Sequence, residues 1–356
     1  MSSSRSASTD SSASTPATKS SSQAWFRPEL LDAFRRTGGL VLAIMIAAAV
    51  FGVLSEGSFF EPQNLLGVLR AMSTYAIIGL GLTVVLVVGE IDLSFGSVYG
   101  VVGTTIAVAW MVWGMPLLLA VAIGFALALV IAAVNAFLVC VVRVPSFIAT
   151  LGTSTLAVGL TLLIGNAERF APAYPTPGQH VSEGSLSTFT GISNRSLPFD
   201  IPMQVVWMLI VAGIFVLVLH RSLYGFRARA VGGNENAARF GGLKIGRTKL
   251  LAFLIVSAAA AFAALLDFSF IGSVNPDSGT SLLFPVFAAV IIGGASLNGG
   301  RGTVAGALLG ALLLAVMNNG LALMAAAPYV QQVFLGLVTI GAVVLDQRTR
   351  RSAKSS

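Results

Sequence analysis

From Leu66 to Val88 the chain reads LGVLRAMSTYAIIGLGLTVVLVV, with Arg70 as its one charged residue. The hydrocarbon core of a bilayer is crossed by about 20 apolar residues in helical form. Nine further stretches have the same character, roughly 38–54, 95–113, 116–141, 146–165, 202–220, 250–271, 283–296, 302–324 and 328–346. Inside lipid a backbone must satisfy its own polar groups, so the choice is between helices and closed barrels. A barrel would alternate polar and apolar residues in segments of about ten. That pattern is absent, and the sequence predicts an all-α, polytopic transmembrane bundle of about ten spans. Composition agrees: 56% of residues are hydrophobic and 10% charged, against roughly 25% charged in a soluble domain.

Outside the spans, residues 1–23 are Ser/Thr-rich and too poor in apolar side chains to fold, so they read as a disordered tail. No apolar run follows the start, which excludes a secretory signal peptide. Residues 24–37, with Trp25 and Phe26 beside Arg35 and Arg36, read as an amphipathic segment on the membrane surface. A transmembrane domain at 38–346 and a basic tail at 347–356 complete the division. A single cysteine, Cys140, excludes a disulfide framework. His180 and His220 lack metal-site spacing, so no metal is expected. The net charge of +7 reads as basic membrane-flanking loops, not as a nucleic-acid surface.

Orientation follows from where the 21 basic residues lie. With both termini in the cytoplasm, 18 fall on the cytoplasmic side, and Arg70, Arg169 and Arg195 fall outside. Cytoplasmic loops carry the excess of Lys and Arg, so inversion is excluded. The longest outer segment, about 166–201, is rich in Pro, Gly and Ser and predicts a structured loop, not a domain.

Chemistry has few places to sit. No GxxxxGK[ST] loop is present to cradle ATP phosphates, and no GxSxG nucleophile elbow occurs. The titratable groups at membrane depth are Glu90, Asp92 and Asp267. A carboxylate at the bilayer centre costs at least about 2.5–3.5 kcal/mol, so VVGEIDLSFGSV marks a turn near the interface or a wall of a polar path. Gly89 ends one helix, Asp92 or Ser94 can cap the next, and Gly96 with Ser97 permits close packing. A related break recurs in IIGGASLNGGRGTVAG, with Gly293, Gly294 and Asn298. Asn135 and Asn318 each precede a proline by ten residues, a further hint of two related halves. Glu90, Asp92, Ser94, Gly96, Asn135, Gly293, Gly294, Asn298, Asn318 and Asn319 are the candidate path residues. Interhelical hydrogen bonding is the competing role for each Asn.

Between spans six and seven the chain reads RSLYGFRARAVGGNENAARFGGLKIGRTK, a basic loop over 221–249 with a short helical piece from Glu235. It can rest against anionic lipid, or dock a cytoplasmic partner and transmit motion to the two spans that flank it. The whole pattern is that of a transporter, not an enzyme. An ion-gradient-driven secondary transporter is the alternative, with the three carboxylates as its ion-binding candidates.

GEIDLSFGSV, AVGGNENAARFGGLKIGRTK and FAAVIIGGASLNGGRGTVAGALLGALLLAVMNNGL together resemble the membrane permease subunits of bacterial ABC importers for monosaccharides. The likeness runs from Phe59 to Asp346. It implies a multi-pass inner-membrane subunit, usually in two copies, that binds no cofactor and leaves ATP to separate cytoplasmic subunits. A periplasmic or lipid-anchored solute-binding protein would dock outside. The coupling loop of that family maps onto Gly233, Asn234, Glu235, Ala238, Arg239 and Gly242. Such permeases usually carry Gly-Gly-Ile-Asp-Leu-Ser, and Glu90 replaces the second glycine here. Phe270 stands where a basic residue tends to follow the acid at Asp267. Related permeases carry autoinducers, nucleosides or branched-chain amino acids, so the resemblance leaves the solute open.

Overall fold

The computed structural model describes residues 27–195 and 198–354, and the side chains of 27–37, 199, 328, 342–343 and 345–354 lie outside that description. The expected tail at 1–23 and the first residues of the 24–37 segment fall outside it too. The described chain is helical, with one isolated antiparallel bridge between Phe170 and Val274.

In chain order the helices are α1 (Arg27–Leu54), α2 (Pro62–Val88), α3 (Phe95–Ala107), α4 (Leu117–Phe137), α5 (Ser146–Gly165), α6 (Glu183–Gly191), α7 (Met203–Val216), α8 (Leu223–Gly233), α9 (Glu235–Phe240), α10 (Ile245–Ile271), α11 (Leu283–Ile292), α12 (Val304–Leu323) and α13 (Pro328–Lys354). α3, α4 and α7 each end in one wide π turn, at Val108–Val112, Leu138–Val142 and Leu217–Arg221. Among the described residues seven helices are long and apolar enough to cross a bilayer, and Gly38–Leu54, Thr280–Ile292 and Tyr329–Gly341 are shorter apolar helices. The chain is a polytopic helical membrane protein.

Burial separates a centre from a rim. In α2 and α3, 83% and 94% of the apolar window is buried, against 28% in both α4 and α5. α2 and α3 therefore face protein on nearly all sides, whereas α4 and α5 present Leu118, Val130, Leu156 and Leu163 outward. A helix apolar all round is one buried in protein or facing lipid.

The brevity of α11 has a local cause. A Cβ at Gly96 would meet the Gly279 carbonyl, one at Gly100 the Ser278 carbonyl, and one at Gly103 the Val274 side chain. This glycine stripe lets the irregular segment 272–279 descend along α3, followed by one 3-10 turn at Thr280–Leu282 before α11 begins. Irregular backbone at such depth is tolerated when protein surrounds it, so extended chain makes part of that passage and helix the rest.

The long segment between α5 and α7 folds back on the bundle as a cap. Phe189 of α6 is fully buried between Trp110 and Phe268, at ring distances of 5.0 and 4.7 Å. Ser269 donates to the Phe189 carbonyl (2.6 Å), and Ser193 donates to that of Leu266 (2.8 Å).

Candidate functional site

The turn at Gly89–Ser94 is an extended passage between α2 and α3, built on borrowed hydrogen bonds. Gly89 adopts φ 90°, a conformation glycine enters without a Cβ penalty, and ends α2. Beyond it the amide of Ile91 donates to Ser146 Oγ (3.1 Å) and that of Leu93 to Thr150 Oγ1 (3.1 Å). Hydroxyls at the start of α5 thus replace the helical partners this stretch lacks.

Asp92 is fully buried, and its Oδ1 accepts from both the amide and the hydroxyl of Ser94, each at 2.6 Å. The donors continue outward. Asn135 of α4 donates to Ser94 Oγ (2.9 Å), and Thr153 of α5 donates to Asn135 Oδ1 (2.6 Å). Each link polarises the next in a medium of low dielectric. The relay points at one carboxylate and holds α3, α4 and α5 in fixed register.

Glu90 turns the other way. Its Oε1 lies 2.6 Å from Lys249 Nζ of α10, and the same ammonium lies 2.8 Å from Glu235 Oε2 of α9. Arg239 completes the group by pairing with Glu235 at 2.9 Å. The Glu90 charge is therefore spent on a junction with the 221–249 loop.

That loop is more helical than its sequence predicts, because α8 occupies its first half. Ser222 caps α8 by accepting from the Gly225 amide. α9 follows at once. Asn234 caps it through Oδ1, accepting from the Ala237 amide (3.0 Å), and Glu235 sits at the positive helix end. Its far end closes with Gly242 at φ 76°, where Gly242 donates to the Arg239 carbonyl and Leu243 to the Ala238 carbonyl, both at 3.0 Å. This is the paired C-terminal bonding of a Schellman motif, which favours glycine at that position. Ala238 is buried beneath the turn. Much of the Gly-Asn-Glu…Ala-Arg…Gly pattern therefore builds one six-residue helix, and Gly233 and Arg239 stay exposed.

Three glycine segments meet at the end of α2. The Gly300 amide donates to the Val87 carbonyl (2.9 Å). A Cβ on Gly232 would fall on that same carbonyl and on the Gly300 amide, and one on Gly299 would meet Gly232. Gly89 also faces Gly232. Backbones touch directly here, so the loop helix pair, the α2–α3 turn and the α11–α12 break bear on one another without side chains between them.

The remaining candidates fall elsewhere. Gly293 packs its backbone against the Gly306 carbonyl of α12, Gly294 turns at φ 90°, and Asn298 is exposed. Asn318 donates to the Tyr75 hydroxyl (2.9 Å) and Asn319 to Asn64 Oδ1 (3.0 Å), so both join α12 to α2. Asp267 forms a separate cluster, accepting from Thr74 (2.8 and 3.0 Å) and from Tyr99 (2.9 Å). One turn of chain away Arg70 stacks on Phe270, 4.0 Å from the ring centroid. The structure unites Ser94 with Asn135 and Glu90 with Glu235, and it leaves Asn318 and Asn319 in a network of their own.

Sequence reasoning passed over Lys249, Gly232, Ser146, Thr150 and Thr153 as site residues. Lys249 read as the last basic residue of the loop, and the start of α10 at Ile245 is what carries it one turn inside the helix. The hydroxyls carried no signal, since Ser and Thr are common in such helices.

Comparison with known proteins matches residues 64–343 to the family described as branched-chain amino acid transport system / permease component. Similar proteins include the ribose import permease protein RbsC of Bacillus subtilis, 32% identical over 87% of this chain and 92% of the relative. RbsC of Escherichia coli K12 is 33% identical over 86% and 92%, and the xylose transport system permease protein XylH of the same strain is 28% identical over 88% and 92%. No solved structure matches the chain. Matched along nearly its whole membrane part, this chain belongs to the branched-chain amino acid transport system / permease component family and is an inner-membrane permease subunit of an ABC importer.

Proposed function

We propose that this permease carries a monosaccharide across the inner membrane, delivered by a solute-binding protein and driven by separate ATP-binding subunits that dock on α9. The relatives named for ribose and xylose support the substrate class. The observation that carries the mechanism is the junction of Gly89, Gly232 and Gly300, beside the Lys249 bridge from Glu235 to Glu90. A push on α9 enters both helix breaks through backbone contact and through charge. Two copies of the chain would enclose the path, with ten crossings each and both termini in the cytoplasm, as the distribution of Lys and Arg favours.

In this reading Gly233, Asn234, Glu235, Ala238, Arg239 and Gly242 form the docking element. ATP binding closes the ATPase pair, and the preference of those partners for one permease state shifts the equilibrium between inward- and outward-open forms. The turn at 89–94 and the break at 293–303 then move as units hinged at their glycines. Asp267, Tyr99 and Thr74 present a carboxylate and two hydroxyls, the chemistry that exchanges hydrogen bonds with a polyol. The test is uptake of labelled ribose and xylose by cells expressing this chain with its ATP-binding and solute-binding subunits, with leucine as a competitor. Uptake should cease on ATP depletion and persist when ionophores dissipate the proton and sodium gradients. Uptake by proteoliposomes holding this chain alone under an ion gradient would refute it.

A further inference from the structure

Where α8 turns back on the start of α10 lies an open pocket of about 380 Å³, lined by Arg227, Lys244 and Arg247 together with Tyr224, Leu243 and Leu251. Its volume falls in the range of ligand pockets, roughly 300–1,000 Å³. No acidic residue lines it. The three cations are exposed, and among the described residues none has an ion-pair partner. This distinguishes them from Lys249 and Arg239, whose charges are spent on carboxylates close by. Like charges gathered around one concavity repel one another, and an anion in the middle removes that cost.

Depth identifies the anion. α10 has 27 residues, about 40 Å of helix against a hydrocarbon core of about 30 Å. Lys244, Arg247 and Lys249 all lie at its N-terminal end, so the excess length there stands at the headgroup level. On the same rim Leu223, Phe226 and Leu251 are exposed apolar side chains. A pocket with cations on one side and an apolar wall continuing into the lipid-facing surface suits a molecule with an anionic head and a hydrocarbon body. The first-turn amides of α10 add the positive end of a helix dipole, with no side chain capping them.

We propose that this pocket binds a phosphate group, supplied by an anionic glycerophospholipid of the adjoining leaflet. The bound lipid would brace α8 against α10, the two helices that carry α9 between them. Gly242, the last residue of the docking element, also lines the pocket, so the site borders that surface, and it stands whichever solute the permease carries.

The test uses the full-length chain in detergent and native mass spectrometry. Dioctanoyl phosphatidylglycerol, dioctanoyl phosphatidylcholine, glycerol 1-phosphate and inorganic phosphate are the probes. Phosphatidylglycerol should bind more tightly than phosphatidylcholine, and each of Arg227→Gln, Lys244→Gln and Arg247→Gln should weaken it about fivefold. Arg301→Gln, outside the pocket, should leave binding unchanged, and Lys244→Arg should restore it. These are exposed positions, and size-exclusion profiles check that the variants fold. Displacement of phosphatidylglycerol by millimolar inorganic phosphate would assign the site to a free phosphate and overturn the lipid as its source. Equal binding of both lipids, or unchanged binding in the triple variant that combines Arg227→Gln, Lys244→Gln and Arg247→Gln, would overturn the site. So would triple-variant behaviour in which lipid binding persists while ATP-binding subunits no longer co-purify, since the charges would then serve that protein.

Discussion

Lys249 Nζ lies 2.6 Å from Glu90 Oε1, and the same ammonium reaches Glu235 Oε2 at 2.8 Å. The side chains of Lys249 and Glu90 are 12% and 11% exposed, whereas that of Glu235 is 40% exposed. One cation therefore ties an inner, water-poor carboxylate to an outer one on the helix proposed to meet the ATPase. The inner pair is the stronger tie, because solvent screens the outer one.

Removing the cation leaves Glu90 buried without a counter-charge. Lys249→Met should therefore destabilise the chain, approaching the roughly 3–5 kcal/mol seen when one partner of a buried pair is lost. Glu90→Gly with Lys249→Met should recover much of that loss, because no orphaned charge remains. Thermal unfolding followed by fluorescence-detected size exclusion measures both. Equal melting of the single and double variants would show that the pair is not coupled.

The pH response of the outer tie has a defined sign. The hydrogen bond from Lys249 first, then the pairing with Arg239, holds the Glu235 carboxyl below the ordinary glutamate value. A depressed folded value means that the stabilisation is fully present above the unfolded pKa, about 4.3, and is lost as pH falls through the lower folded value. The stability difference between wild type and Glu235→Gln should stay flat from pH 8 to about 5 and shrink below about 4.3. Melting curves across that range test it, and a difference that changes between pH 6 and 8 would contradict the assignment.

Neighbouring glycines should answer differently to the same substitution. A Cβ at Gly232 meets the Val87 carbonyl and the Gly300 amide, which are backbone and cannot step aside, whereas one at Gly233 meets nothing within 4 Å. Gly232→Ala should reduce uptake by more than about tenfold, since overpacking costs roughly 1–3 kcal/mol and shifts the backbone. Gly233→Ala should insert and melt as wild type. Uptake and melting measured together distinguish lost junction geometry from failed folding.

For Asp92, the amide and carboxylate forms separate structure from charge. Asp92→Asn keeps an oxygen to accept from Ser94, and Asp92→Ala removes both bonds to it. The alanine variant should lose about 1–3 kcal/mol as buried donors go unsatisfied, and the asparagine variant should lose less. If charge also serves transport, Asp92→Asn will lower uptake while expression and melting hold. Normal uptake would confine Asp92 to the turn.

The amino-acid sequence by itself determined a great deal. Apolar blocks place most of the long helices to within about five residues, since a bilayer leaves a backbone no other way to satisfy itself, whereas α1 starts at Arg27 and α13 runs to Lys354, both well beyond their apolar blocks. The glycine-rich breaks at 89–97 and 293–302 were legible from local composition. So was α9, from an N-capping Asn, an early Glu and a closing Gly. α8 was less legible, because the Gly225 and Gly232–Gly233 positions read as loop, whereas packing against α2 selects helix there.

What tertiary structure alone decided is which distant groups share one place. Nothing local to Glu90 names Lys249 as its partner, or shows that Ser146 and Thr150 serve the amides of Ile91 and Leu93. Nothing near Gly232 reveals that its missing side chain makes room for Val87 and Gly300. Secondary structure answers to neighbours along the chain and to the solvent. Charge pairing, borrowed hydrogen bonds and backbone contact are set by short-range forces between segments that the fold brings together, so their partners exist once the helices have packed.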